Sequence, residues 1–370
     1  MSSIAVVAGE ASGDIHAGNL VAALRRRRPD LRVWAVGGEA LARAGAEIVF
    51  PSAAIAGMGL VESAGNLPAL LRARRQVLER FAAEPPDLFV PVDFGAFNLR
   101  LCAAAHRNRI PTVYYIPPKV WAWGRWRVRK LRAWVDKALV ILPFEEAFYR
   151  EHGIAAHYVG SPVLDHLAPR VHPPEDRVVG LLPGSRPGEV IRILPLLVQV
   201  ARRLVAERPL RFLVPRAPGL PEALLVGPLQ AAGVPVEILD GDAQQVMERA
   251  RVCVMASGTA TLECALVGTP LVSVYQVSPL TYALGRLLVR VPFFSLPNLI
   301  AGRQVVPEFL QPAPGEVAQA VAELIDEGPA RSAQLEALAA VRAAVGEPGA
   351  SERAAGHILD LLGARGGSGA

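Results

Sequence analysis

Residues 178–189 read VVGLLPGSRPGE. A short apolar run meets a glycine turn, and a proline heads the helical pattern that follows from about Pro187 to Glu207. This is a strand, a loop and a helix in succession, and the unit recurs along the chain. RFLVP, VEILD, VCVMAS and PLVSVY follow it as further strands. The first half repeats the logic with IAVVAG, a helix from about Asp14 to Arg28, RVWAVGG, EIVF, DLFVPV, TVYYI, KALVILP and HYVG. Strands that alternate with helices make βαβ units and a parallel sheet. The halves are joined by Ser161 to Arg177, which carries four prolines and no apolar periodicity and reads as a linker. The expected class is therefore α/β, with two Rossmann-like domains facing a cleft. The expected division is 1–165, 175–345 and a C-terminal helix with a disordered tail over 346–370.

The 370 residues suit two domains, and 52% hydrophobic against 20% charged residues supply packed cores. A formal charge of +5 is mild for this length and does not by itself require an anionic partner. Cys102, Cys253 and Cys264 have no metal-site or disulfide spacing, which points to a reducing compartment. MSSIAVVAGEASGD lacks the basic start of a secretion signal. The uncharged run Cys264 to Gly285 is broken by Pro270 and Pro279, and reads as a helix end, a turn and the buried strand LVSVYQV. A cytoplasmic protein without a transmembrane helix is expected.

In open α/β sheets ligands sit beyond the carboxyl ends of the strands, so the loops there carry the chemistry. After the first strand comes AGEASGD, where Gly9 and Gly13 permit tight turns and Asp14 or Ser12 can cap the helix. It is not a G-x-G-x-x-G dinucleotide loop. After DLFVPV comes Asp93, a carboxylate flanked by Phe94 and Phe97 and placed to act as a general base; its other reading is a helix cap. After VVGLL, Gly184 or Ser185 would cap the next helix, and the helix N-terminus with Arg186 makes an anion site suited to a diphosphate. Ser257, Gly258 and Thr259 open another helix in the same way. Glu263 follows one turn on from Thr259, placed to accept hydrogen bonds from a ribose diol. Together these say nucleoside diphosphate. Asp240-Gly241-Asp242 could be a metal clamp, but reads better as a turn with Asp242 capping AQQVMERA. No metal or cofactor is expected.

Tyr114 to Trp134, YYIPPKVWAWGRWRVRKLRAW, holds four tryptophans, six basic side chains and no acid. Val128, Leu131, Trp134 and Val135 fall at helical spacing and would pack inward, while Trp121 and Trp123 lie in a loop that can stack on a sugar or meet acyl chains. Single-strand nucleic acid is the rival ligand, yet the chain has no second basic, aromatic platform. The run Arg25 to Arg28 complements a helix dipole instead. Ser52 to Val77, ending in Arg72, Arg74 and Arg75, and Leu284 to Phe294 pair apolar faces with arginines, as at the edge of an anionic membrane.

VAGEASGD, GMGLVE, VDFGAFN, VWAW, ILPFEEAFY, LLPGSR..EV, ASGTATLECAL and SLPNLIAGR, in this order, resemble the lipid-A-disaccharide synthase family. The resemblance implies the GT-B glycosyltransferase fold and a metal-free, inverting reaction at the inner face of the cytoplasmic membrane. In it the 6-hydroxyl of a 2,3-diacylglucosamine 1-phosphate attacks a UDP-activated diacylglucosamine, giving a β-1,6 link. It implies Asp93 as base and Arg186 as the essential arginine. Gly184, Ser185, Ser257, Gly258, Thr259, Glu263 and Asn298 fall on the donor side, and Glu10, Ser12, Asn98, Lys119, Trp121, Trp123 and Arg127 on the acceptor side. The family pattern is altered at Ala96, at Pro117-Pro118-Lys119 and at Ser161. All three lie in or near the acceptor half, which leaves a UDP-sugar enzyme with another glycolipid acceptor as an alternative. A UDP-sugar epimerase of the same fold is another.

Overall fold

The computed structural model describes residues 2–55, 67–122, 124–168, 170–277 and 292–366. The chain forms two compact units, Met1–Asp165 with Glu347–Ala370, and His166–Gly346.

The first unit is built on seven parallel strands: β1 (Ser3–Ala8), β2 (Arg32–Gly37), β3 (Glu47–Pro51), β4 (Leu88–Val92), β5 (Val113–Tyr115), β6 (Lys137–Val140) and β7 (Ala156–Tyr158). Their order across the sheet is β3-β2-β1-β4-β5-β6-β7. Ile4 to Ala8 are 0% exposed and every residue of β4 is buried. That is why these strands are apolar without alternation: helices cover both faces of a parallel sheet. Pro91 sits inside β4 and brings no N–H to the ladder. Pairing with β5 is correspondingly thin and resumes where Asp93 N–H donates to the Tyr115 carbonyl at 3.1 Å.

The second unit holds β8 (Glu175–Leu182), β9 (Arg211–Arg216), β10 (Val236–Asp240), β11 (Ala250–Ala256), β12 (Leu271–Tyr275) and β13 (Glu308–Leu310). Their order is β10-β9-β8-β11-β12-β13, all parallel. Both sheets thus wind 3-2-1-4-5-6 and reverse direction between their first and fourth strands, the crevice where ligands of such sheets bind. The expected strands are all present. β13 was not expected.

The last helix, Ala350–Gly366, belongs to the first unit. Asp165 caps it, accepting from the backbone N–H of Gly349 (2.6 Å), Ala350 and Ser351 (3.1 Å each). Ala354, Ala355 and Ile358 bury against the core behind β1 and β4. Glu352 pairs with Arg26 and Arg27, Arg25 donates to the Gly45 carbonyl and Arg28 pairs with Asp30. The four-arginine run is therefore bound up within the unit. Among the described residues no helix is long and apolar enough to cross a membrane. The described part of Cys264 to Gly285 is a helix end, a turn and β12; GMGLVE falls wholly, and Leu284 to Phe294 mostly, outside the described residues.

Candidate active site

At the reversal point of the first sheet β1 and β4 end side by side, with Ala8 opposite Val92. Asp93 and Phe94 follow with φ of 48° and 51°. Two successive non-glycine residues in the left-handed region cost about 1–2 kcal/mol each and mark a constrained turn. Buried donors hold it. The Asp93 carbonyl accepts from Asn98 Nδ2 and from the Tyr114 hydroxyl, both at 2.8 Å. Asn98 Nδ2 also reaches the carbonyls of Val7 (3.2 Å) and Val92 (3.3 Å). Neighbouring loops close in. A Cβ on Gly9 would lie 2.3 Å from the Phe94 ring, one on Gly13 3.9 Å from the Asp93 Cβ, and one on Gly95 2.7 Å from Pro118. The loops after β1, β4 and β5 therefore meet around Asp93, which is half-buried.

Several expectations change here. The helix after β1 is Ala11–Arg27 with Glu10 as its cap residue, so neither Asp14 nor Ser12 caps it. Buried Asp14 instead accepts from the N–H of Gly38 (2.6 Å) and Ala40 (2.9 Å), at the head of the next helix, Glu39–Arg43. The end of β2, where a dinucleotide would place its ribose, is thus filled by the chain's own carboxylate. Asn98 is 0% exposed and its amide nitrogen braces the turn from inside. Trp121 is also buried. Its indole N–H donates to Glu145 Oε1 at 2.9 Å and its ring packs edge-on against Phe144. The buried Glu145 also accepts from the N–H of Leu142 (3.1 Å), and burial raises its pKa. The loop tryptophan therefore ties one loop to another. Glu10 and Arg127 are half-buried, Ser12 and Lys119 are exposed, and Trp123 lies outside the described residues. Val128, Leu131 and Val135 pack inward as expected, Trp134 partly, and Trp126 is 62% exposed.

In the second unit Leu182 lies opposite Met255, so β8 and β11 end together. The cap residue of helix Pro187–Glu207 is Arg186, not Gly184 or Ser185, and no side chain caps that helix. Its first turn presents backbone N–H groups and the positive end of the helix dipole. Gly184 adopts φ 112°, and a Cβ there would lie 2.6 Å from Glu189 Oε2. Only glycine fits that turn. Arg186 is exposed and pairs with Glu189 at 3.3 Å. Gly258 caps helix Thr259–Val267, again without a side-chain cap, and open space lies over it. Thr259 is exposed, and Glu263, one turn further, is half-buried with its pKa raised by burial. The Ser257 hydroxyl donates to the Phe294 carbonyl at 3.1 Å, which ties the SLPN loop to the end of β11.

Asn298 is 0% exposed, and its whole amide is engaged. Nδ2 donates to the Val306 carbonyl (2.9 Å) and to Glu308 (3.0 Å); Oδ1 accepts from the N–H of Val305 (2.6 Å) and Val306 (2.8 Å). An amide has two donors and two acceptor sites, so no group remains for a donor sugar, and Asn298 holds the loop. Glu308 completes the brace by accepting from Ser295 N–H at 2.9 Å. Nothing in the linear sequence marked Glu308. Asn298→Leu strands several buried polar groups, and about 3 kcal/mol of unit stability should be lost in urea unfolding. Unchanged stability with UDP binding abolished would make Asn298 a ligand contact after all.

Asp240 pairs with Arg216 at 2.5 Å, Gly241 turns at φ 72°, and Asp242 caps its helix through Gln245 N–H at 2.7 Å. The D-x-D segment is a turn and a cap. Among the described residues no group of three His, Cys, Asp or Glu side chains could hold a metal ion.

Residues 4–344 match the family model described as Lipid-A-disaccharide synthetase. The lipid-A-disaccharide synthase of Myxococcus xanthus (strain DK1622) is 44% identical over 97% of each chain, and that of Syntrophus aciditrophicus (strain SB) 39% identical over the same share. Among solved structures, the glycotransferase of kitacinnamycin superimposes with a TM-score of 0.64 at 17% identity, covering 98% of this chain and 99% of that one. MurG of Acinetobacter baumannii gives 0.60 at 14% identity, with the same coverage. Those two likenesses concern the fold, the two-sheet GT-B architecture. At the level of sequence, the chain belongs to the lipid-A-disaccharide synthase family of glycosyltransferases.

Proposed function

We propose that the chain performs its family's reaction, the condensation of UDP-diacylglucosamine with lipid X, with the two halves of the machinery divided between its units. The second unit holds the donor. The uncapped helix starts at Pro187 and Thr259, with Gly184, Ser185, Arg186, Ser257 and Gly258, grip the diphosphate, and Glu263 takes the ribose. The first unit holds the acceptor, with Glu10, Ser12, Lys119 and Arg127 around it, and Asp93 removes the proton of its attacking 6-hydroxyl. The oxygen bonds to the anomeric carbon from the face opposite the leaving group, the bond to the diphosphate oxygen breaks, and UDP departs with its charge met by Arg186 and the helix dipoles.

What carries this reading is location. Asp93 follows β4, and the diphosphate residues follow β8 and β11, at the strand ends where each sheet reverses. Peripheral contact with an anionic membrane belongs to the same reading. Leu67 and Leu71, one turn apart on helix Leu67–Ala83, are about half exposed, and Arg72 and Arg75 flank them. Mass spectrometry of products from UDP-diacylglucosamine and a panel of glycolipid acceptors tests it. A disaccharide 1-phosphate and acceptor-dependent UDP release are expected. An epimerised sugar from donor alone, or product only with another glycolipid, overturns it.

A further inference from the structure

Within the first unit, helices Leu67–Ala83, Gly95–Arg107 and Val128–Trp134 enclose a groove of about 330 Å³. That is in the size range of small-molecule sites, about 300–1,000 Å³. Five cations line it, Arg74, Arg100, Arg107, Arg127 and Lys130, and no acid does. On the same helix, Leu67–Ala83, Arg75 instead pairs with Glu79 and Arg80 with Glu47. Among the described residues no carboxylate pairs with Arg74, Arg100, Arg107 or Lys130, and the buried Nε of Arg74 lacks a hydrogen-bond partner. The lining is otherwise apolar. Leu99 is 6% exposed, and the indoles of Trp126 and Trp134 lie 4.9 and 5.9 Å from Lys130 Nζ. Like charges gathered over an apolar lining repel one another unless an anion joins them.

The groove also has a direction. Ala96, Arg100, Ala103 and Arg107 line it along one side of helix Gly95–Arg107, whose N-terminal end adjoins Asp93. Arg100 stands about 10 Å along the axis from Asp93, a separation that one phosphorylated sugar ring bridges. We infer that this groove receives the phosphate of the acceptor on its cations and an adjoining acyl chain on Leu99, Trp126 and Trp134. The inference rests on the proposed function, because it supplies the far end of the molecule whose near end meets Asp93. Trp126, Arg127, Lys130 and Trp134 belong to the basic tryptophan segment and Arg74 to the arginine cluster singled out in the sequence, whereas Leu99, Arg100 and Arg107 did not stand out there. The lining comes from three helices and the short turn Arg125–Arg127.

The test is the double variant Arg107→Ala/Lys130→Ala, both positions exposed and away from the reacting atoms. In detergent micelles, KM for diacylglucosamine 1-phosphate should rise tenfold or more, with the donor KM unchanged. With the dephosphorylated acceptor the parent should already be impaired and the variant no worse. Equal losses on both acceptors, or an unchanged KM, overturn the assignment. Co-sedimentation with vesicles of phosphatidylglycerol and phosphatidylcholine separates the other source of phosphate. Vesicle binding lost with micellar KM intact would assign these cations to the membrane surface and sink the proposal. Binding of the acceptor alone, followed by the fluorescence of Trp126 and Trp134, keeps the result readable without turnover. If the parent makes no disaccharide, the proposed function fails; if it does and the variant matches it, only this inference fails.

Discussion

Arg186→Ala is expected to lower kcat by about two to three orders of magnitude while leaving the unfolding midpoint where it was. The separation follows from how Arg186 is held. Its side chain is 69% exposed, and its pair with Glu189 is the surface kind that contributes about 0–1 kcal/mol. It caps helix Pro187–Glu207 through backbone angles of −104° and 140°, which alanine adopts as readily, and no side-chain cap bond is lost. On the proposed reading the guanidinium serves the departing diphosphate. Charge grows on that group as the glycosidic bond breaks, so the loss should fall on turnover more than on UDP affinity. Arg186→Lys should recover only part of the rate, since a point charge cannot replace the planar fork. Activity of the alanine variant within threefold of the parent would remove Arg186 from the chemistry.

The sequence showed the frame well because a parallel sheet buried on both faces needs apolar runs, and those runs cannot be mistaken for surface. β13 escaped because it is three residues long, none of them buried, with Glu308 at its head. Caps were half legible. Asp14 and Ser185 are of the right type, but a sequence does not say which N–H a carboxylate reaches, and Asp14 finds its partners in the next βα unit. Asn98, Trp121 and Asn298 show what a motif leaves unsaid. Each lies in a motif stretch beside reactive residues, and each is buried as a brace for the loop that carries them. A motif is equally necessary at both kinds of position, so pattern alone does not separate a group that meets substrate from one that holds the backbone still. Burial and a full hydrogen-bond count do. The basic groove was hidden for the opposite reason, since its cations become neighbours only after three helices pack.

Asp93→Asn should reduce kcat by about 10²- to 10⁴-fold, the range of a lost general base, and the choice of asparagine is dictated by the backbone. Asp93 sits at φ 48° and Phe94 at 51°, with the Phe94 ring against Gly9. Asparagine tolerates that left-handed conformation nearly as well as aspartate. It keeps the volume of the side chain and leaves the Asn98 and Tyr114 hydrogen bonds to the Asp93 carbonyl in place. Alanine would add roughly 1 kcal/mol of backbone strain and blur a chemical loss with a structural one. The amide removes the negative charge and with it the capacity to take a proton. The acid limb of the kcat/KM profile against pH should therefore vanish in the variant, while acceptor binding and thermal stability stay close to the parent's. If Asp93→Asn instead keeps a rate within a few-fold of the parent and the same pH limb, the turn around β4 serves only to shape the loop, and the base must be sought among the other groups that meet there, Glu10 first.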